Sequence, residues 1–207
     1  MRGLYLVTPN WDDTERLLEV SELALDAGVA LLQYRHKTAD AALRLEQAGA
    51  LLQLCRKYGC PLVINDFTEL CLEIGADGVH VGGTDASVAR TRAAVGPERI
   101  VGASCYGDLA LARAAQADGA SYVAFGGFYP SLVKQYPVTT APDIVLAAKA
   151  QIALPCVVIG GMTAPNAAPL VARGADLVAA ISSVYLAADT AAAVAAFNNL
   201  FASKVPA

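Results

Sequence analysis

The chain has 207 residues, 56% of them apolar and 16% charged, with 17 glycines and 10 prolines. At roughly 100–200 residues per domain this is one globular domain, and the figures exclude two large domains or an extended disordered chain. Fifteen Lys plus Arg against nineteen Asp plus Glu leave a net charge of −4, so no broad basic face exists to neutralise a nucleic-acid backbone, and small-molecule partners are expected instead.

Eight short β-type runs are expected in chain order: Leu4–Val7, Leu31–Arg35, Leu62–Ile64, Gly78–Val81, Ile100–Ser104, Tyr122–Phe125, Cys156–Ile159 and Leu177–Ile181. Between them, segments such as Thr14–Ala27 and Ala39–Tyr58 repeat Leu, Val and Ala every three or four residues, the spacing of a one-faced amphipathic helix. A glycine followed by small or apolar residues recurs before four of the runs, in AGVALLQ from Ala27, GADGVHV from Gly75, GASYVAF from Gly119 and GADLVAA from Gly174. Each glycine suits the end of a helix just before a strand. The recurrences lie about two βα units apart if one unit takes roughly 25 residues. Such alternation predicts parallel strands joined by right-handed crossovers. Eight regular units favour closure, so the expected fold is a compact, single-domain (βα)8 TIM barrel over residues 1–207. The rival, an open doubly wound sheet, wants a GxGxxG turn after the first strand, where this chain has VTPNWDD.

The longest uncharged stretch, Ala150 to Ala172, is interrupted by Pro155, Gly160, Gly161, Pro165 and Pro169, which argues against a membrane span of ~20 apolar residues. The N-terminal MRGLYLVTPNWDD lacks the apolar core of roughly 7–15 residues that a secretory signal carries. Cys55, Cys60, Cys71, Cys105 and Cys156 form an odd set without a CxxC pair, read as reduced thiols in a cytoplasmic protein, with Cys105 a small packing residue. Whether the chain forms a homo-oligomer is left open.

In a barrel of this kind chemistry sits at the C-terminal ends of the strands. Seven of the eight runs deliver a polar or glycine-rich tip there: QYRHK at Gln33–Lys37, ND at Asn65–Asp66, GGTD at Gly82–Asp85, SCY at Ser104–Tyr106, GGFYPSLVK at Gly126–Lys134, GGMT at Gly160–Thr163 and ISS at Ile181–Ser183. Arg35, Lys37 and Lys134 offer cations; Asn65, Ser104 and Ser131 offer neutral hydrogen-bond groups; Asp66 and Asp85 offer carboxylates. Cations together with two carboxylates point to a phosphorylated ligand and Mg²⁺, which is typically held by one or two carboxylates and substrate phosphate oxygens. The tips after runs seven and eight fit a second phosphate cradle. Two phosphate sites are what a transferase joining two phosphorylated small molecules needs.

Plainer readings exist for each tip taken alone. QYRHK reads also as a solvated charge cluster, Asn65–Asp66 and Asp85 as helix caps, Gly160–Gly161 as a tight turn, and His80, inside an apolar strand, as a satisfied structural histidine. The coincidence of seven matching strand ends favours the functional reading.

The ordered set YLVTP, QYRHK, VIND, GADGVHVGG-x-D, VGASC, FGGFYPS-x-x-K, VVIGGMT and ISS resembles the thiamine-phosphate synthase family over nearly the whole chain. The resemblance implies a (βα)8 barrel that joins hydroxymethylpyrimidine diphosphate to thiazole phosphate with Mg²⁺. It implies further that Gln33, Arg35, Lys37, Asn65, Ser104 and Lys134 hold the pyrimidine diphosphate, with Tyr34 and His36 counted among the substrate-binding residues of the QYRHK tip. Arg35, Lys37, Ser104 and Lys134 are the implied catalytic groups, and Asp66 and Asp85 the metal ligands. Ser131, Leu132, Val133, Gly161, Ile181 and Ser182 are implied to hold the thiazole phosphate. The chain departs from the family pattern at Gly83, Tyr106 and Val133, where Gln, His and Thr are frequent. A related group, the thiazole tautomerases, depends on a histidine near Tyr106 and lacks a complete metal pair, so Tyr106 with both aspartates favours the synthase.

Overall fold

The computed structural model describes residues 1–82, 87–131 and 140–202. Along them run β1 (Gly3–Val7), α1 (Thr14–Asp26), β2 (Leu31–Tyr34), α2 (Ala41–Tyr58), β3 (Leu62–Asn65), α3 (Thr68–Ile74), β4 (Gly78–Val81), α4 (Val88–Val95), β5 (Ile100–Tyr106) and α5 (Leu109–Ala117). Then follow β6 (Tyr122–Gly126), α6 (Ile144–Gln151), β7 (Cys156–Ile159), α7 (Ala164–Ala172), β8 (Leu177–Ala180), α8 (Ser182–Tyr185) and α9 (Thr190–Ala202). The strands pair in chain order, all parallel, and β8 returns to β1 to close the barrel. The expected (βα)8 fold is the observed one, with strand edges that agree to within two residues.

Helix starts are written in side chains. Asp13, Asp40, Ser87 and Asp108 accept from backbone N–H groups in the first turns of α1, α2, α4 and α5, and Thr163 with Asn166 forms a reciprocal capping box on α7. Each such cap is worth about 1 kcal/mol. Asn65–Asp66 and Asp85 were the tips for which a capping role was the plainer reading. The residue before α3 is Phe67, which makes no side-chain cap, and α4 is capped by Ser87.

The recurring glycine motif proves to belong to the N-terminal ends of the strands. Asp77 of GADGVHV accepts the Leu62 N–H that opens β3 at 2.8 Å, Ser121 of GASYVAF accepts the Val101 N–H of β5 at 3.1 Å, and Asp176 of GADLVAA accepts the Cys156 N–H of β7 at 2.8 Å. The side chain two residues after each glycine thus ties the start of one strand to the loop before the next. This is the face opposite the polar tips, where residues serve stability.

Strand alternation divides the core into two layers. Tyr5, Val7, Leu31, Val63, Tyr122, Ala124, Val157, Leu177 and Ala179 fill the barrel, while Leu4, Leu6, Leu32, Ile64, Val79, Val101, Val123 and Val178 pack outward against the helices. Among the described residues no helix is long and apolar enough to cross a membrane. All five cysteines are free and buried. Cys105 points outward into the helix layer, where burial pushes its thiol up to about 12, as suits a packing residue.

Candidate active site

One cavity of about 760 Å³ opens at the C-terminal end of the barrel, and the predicted tips meet in it. Gln33, Arg35 and Lys37 from β2 and its loop, Asn65 and Asp66 from the end of β3, Ser104 and Tyr106 from β5, Ser131 after β6, Gly160 and Gly161 after β7, and Ile181 and Ser182 after β8 all line it. Leu132, Val133, Lys134, Asp85 and Gly83 lie outside the described residues.

Two predicted residues turn away. The period-two alternation that brings Gln33, Arg35 and Lys37 inward sends Tyr34 and His36 outward. The Tyr34 hydroxyl donates to Gln47 Oε1 of α2 at 3.0 Å. The His36 side chain is fully enclosed, with Nε2 3.3 Å from Asp12 Oδ1 but outside hydrogen-bond geometry. Burial pulls its imidazole below the ordinary value, against the pull of Asp12. Neither side chain touches the cavity, so the expectation that they bind substrate is corrected.

The β2 tip is clamped by the loop after β1. Thr8 Oγ1 accepts the Arg35 N–H at 2.8 Å and donates to the Arg35 carbonyl at 3.2 Å, and Asn10 Oδ1 accepts the Lys37 N–H at 3.3 Å. Lys37 Nζ lies 3.2 Å from Asp66 Oδ2. That same carboxylate oxygen accepts from Asn65 Nδ2 at 2.6 Å. Among the described residues no three His, Cys, Asp or Glu side chains cluster as a ready-made metal cage. Asp66 presents a hard carboxylate oxygen to the cavity.

Across the mouth, the β7 and β8 tips supply small residues and backbone. Gly161 takes φ +60°, and a Cβ on it would stand 2.2 Å from the Pro130 carbonyl oxygen, so only glycine lets the β7 loop approach the segment leading to Ser131. Asn166 Nδ2 donates to the Gly161 carbonyl at 2.9 Å, which fixes the loop to α7. Ser183 Oγ is buried in the cavity wall with no hydrogen-bond partner among the described residues.

Sequence reasoning missed the cavity residues on the strands themselves. Tyr5, Val7 and His80 line the floor, and His80 bonds both Tyr122 and Ser104, so the histidine is satisfied, as expected, but in the cavity wall. The signal was the alternation: positions 79 and 81 pack outward, which puts 80 inside. Tyr106, with φ +52°, ends β5 at a register shift between Ser104 and Tyr106, a bulge that re-aims the tip.

A parallel (βα)8 barrel whose C-terminal cavity has cations and a carboxylate on one set of strand tips and a glycine–serine cradle on another is an enzyme scaffold built for phosphorylated ligands. Residues 4–184 match the family model described as thiamine monophosphate synthase. The chain is 70% identical over 202 residues to the thiamine-phosphate synthase of Janthinobacterium sp. (strain Marseille), covering 98% of both chains. It is 52% identical to that of Thiobacillus denitrificans, covering 98% of this chain and 96% of the other. The solved thiamine phosphate pyrophosphorylase from Pyrococcus furiosus superposes with a TM-score of 0.85 at 28% identity, over 96% of this chain and 94% of that one. The protein belongs to the thiamine monophosphate synthase family.

Proposed function

We propose that the protein is the transferase that joins hydroxymethylpyrimidine diphosphate to thiazole phosphate, yielding thiamine phosphate and pyrophosphate. The observation that carries this reading is that one cavity collects both the cation tip, Arg35 and Lys37, and the separate cradle of Gly161, Ile181 and Ser182. The names of the close relatives support the same condensation.

The C–O bond between the pyrimidinylmethyl carbon and the diphosphate breaks first, and its electron pair leaves on the diphosphate. Arg35, Lys37 and Lys134 neutralise that growing charge; such fixed electrostatics are usually the largest catalytic contribution. Gln33, Asn65 and Ser104 hold the pyrimidine, whose ring electrons stabilise the cationic carbon. The thiazole, held through its phosphate by Ser131, Leu132, Val133, Gly161, Ile181 and Ser182, then donates its nitrogen lone pair to form the C–N bond. No general base is demanded, which suits a chain with two histidines. Asp66 and Asp85 are the proposed holders of Mg²⁺, and the carboxylate of Asp66 inside the cavity fits that ion. When bound, the ion supplies further charge neutralisation at the diphosphate. A cytoplasmic setting, in keeping with five free thiols, belongs to the same reading.

The test is incubation with both substrates, with and without Mg²⁺, while pyrophosphate is followed. Release that needs both substrates and Mg²⁺ is expected. Thiazole isomerisation without Mg²⁺ would instead mark a tautomerase, and binding without turnover a non-catalytic binder. Lys134→Ala should lower turnover by on the order of 10²–10³; unchanged turnover would remove Lys134 from the mechanism.

A further inference from the structure

Beneath the cavity runs a line of side chains of which the proposed chemistry uses only the two ends. Gln33 Nε2 donates to the Tyr5 hydroxyl. The Tyr5 and Tyr122 hydroxyls lie 2.6 Å apart, Tyr122 Oη lies 2.8 Å from His80 Nδ1, and His80 Nε2 lies 2.9 Å from Ser104 Oγ. Five side chains from β1, β2, β4, β5 and β6 thus form one chain of hydrogen bonds, and both its ends, Gln33 and Ser104, face the cavity. The line is built to stay put. The Tyr122 ring stacks on His80 at 5.6 Å and 18°, and it occupies the space of an absent side chain: a Cβ on Gly102 would stand 2.1 Å from Tyr122 Cζ.

Proton counting gives the line a direction. Burial raises both phenols well above their ordinary range, so each keeps its single proton and donates once. Tyr5 already receives the Gln33 N–H, so its own proton goes to Tyr122. The Tyr122 proton goes to His80 Nδ1, which must present a lone pair. A neutral imidazole then carries its proton on Nε2 and donates it to Ser104 Oγ. The Ser104 hydroxyl is left with its own proton for the cavity. At the other end Gln33 Oε1 takes no bond from any described residue and remains an acceptor.

We infer that Tyr5, Tyr122 and His80 are positioning residues that set the recognition pattern of the cavity, an acceptor at Gln33 and a donor at Ser104. That pattern fits a planar heterocycle with an amino group beside a ring nitrogen and opposes the oxo analogue, whose donor and acceptor are exchanged. This rests on the reading above that Gln33 and Ser104 hold the pyrimidine.

Two measurements test it. In the whole protein labelled with ¹⁵N-histidine and followed through a pH series, the neutral-imidazole signals of His80, assigned by their loss in His80→Gln, should be those of the Nε2–H tautomer. An Nδ1–H tautomer would mean that the line runs the other way, with the Gln33 amide turned over, and overturns the inference. Tyr122→Phe keeps the ring and its stacking but cuts the line. It should mix the His80 tautomers and narrow the kcat/KM preference for the aminopyrimidine diphosphate over its oxo analogue, a preference of about 10⁴ for a site built on such hydrogen bonds, by at least about tenfold, while KM for the thiazole phosphate holds. Tyr5→Phe cuts the line one link earlier and should move the preference in the same direction. An unchanged preference in both variants overturns the inference. The tautomer is read without turnover, so a failed condensation assay counts against the reaction and not against the proton order.

Discussion

Asp66 is held in place from three directions. Its backbone takes the left-handed φ of +64°, its N–H donates to the His80 carbonyl at 2.9 Å, and its carboxylate meets Asn65 and Lys37. A non-glycine residue in this conformation costs energy, least for Asp and Asn, whose short polar side chains tolerate it. A position that keeps Asp under such strain in a cavity wall is one where the carboxylate matters more than the backbone. The substitution that separates the two is Asp66→Asn, which keeps the left-handed preference and the acceptor for Asn65 but removes the charge. Turnover should fall by on the order of 10², the size of losing one charge-stabilising group, while Tm should move by no more than about 2–4 °C, the equivalent of ~1 kcal/mol in a chain of this size. Full turnover in this variant would show that the charge of Asp66 plays no part.

At the scale of elements the two ends of the barrel have divided the work. The glycine motifs GADGVHV, GASYVAF and GADLVAA stitch the N-terminal ends, and they do so with Asp77, Ser121 and Asp176 rather than with the glycines alone. Asp77→Ala leaves the N–H of fully buried Leu62 without its acceptor, at a cost of about 1–3 kcal/mol. It should lower the urea midpoint and leave kcat unchanged, since Asp77 lies at the far end from the cavity; a fall in kcat at equal stability would contradict this division. The same division explains what the sequence made legible. The eight strands and the polar tips follow from composition and chain order, because each tip follows an apolar run by one or two residues. The side-chain direction within a tip was harder to read. QYRHK puts five functional-looking residues in a row, and only the pleat decides that Gln33, Arg35 and Lys37 enter the cavity while Tyr34 meets Gln47 and His36 faces Asp12. Tyr5 and Tyr122 were silent for the opposite reason. An aromatic residue in an apolar strand reads as core, and only the closed barrel brings hydroxyls 117 positions apart within 2.6 Å.

For the whole molecule the critical place is the seam where β8 meets β1. Every other pair of neighbouring strands is joined by a crossover helix, but the last strand has no successor, so the cover must come from the helices that follow it. The short α8 stays at the cavity rim, and its Ser182 lines the site. The cover falls to α9, which packs against β1, α1 and α7. Its Val194 and Phe197 are buried, and Asn198 Nδ2 donates to the carbonyls of Ala27 and Gly28 at 3.2 and 3.0 Å, tying the helix to the turn before β2. This helix lies beyond the residues 4–184 that the family model matches, yet it covers β1 at the seam. Phe197 is 2% exposed, and Phe→Ala at such a core position costs about 3–5 kcal/mol, a large part of a total stability of about 5–15 kcal/mol. Phe197→Ala should therefore shift the urea midpoint strongly downward with its slope unchanged, because the same surface is still exposed in one cooperative step. Well below the transition its kcat should match the parent, as no cavity residue is altered. A loss below about 1 kcal/mol would mean that α9 rests on the barrel without closing it, and a split transition would mean that the seam opens separately from the rest.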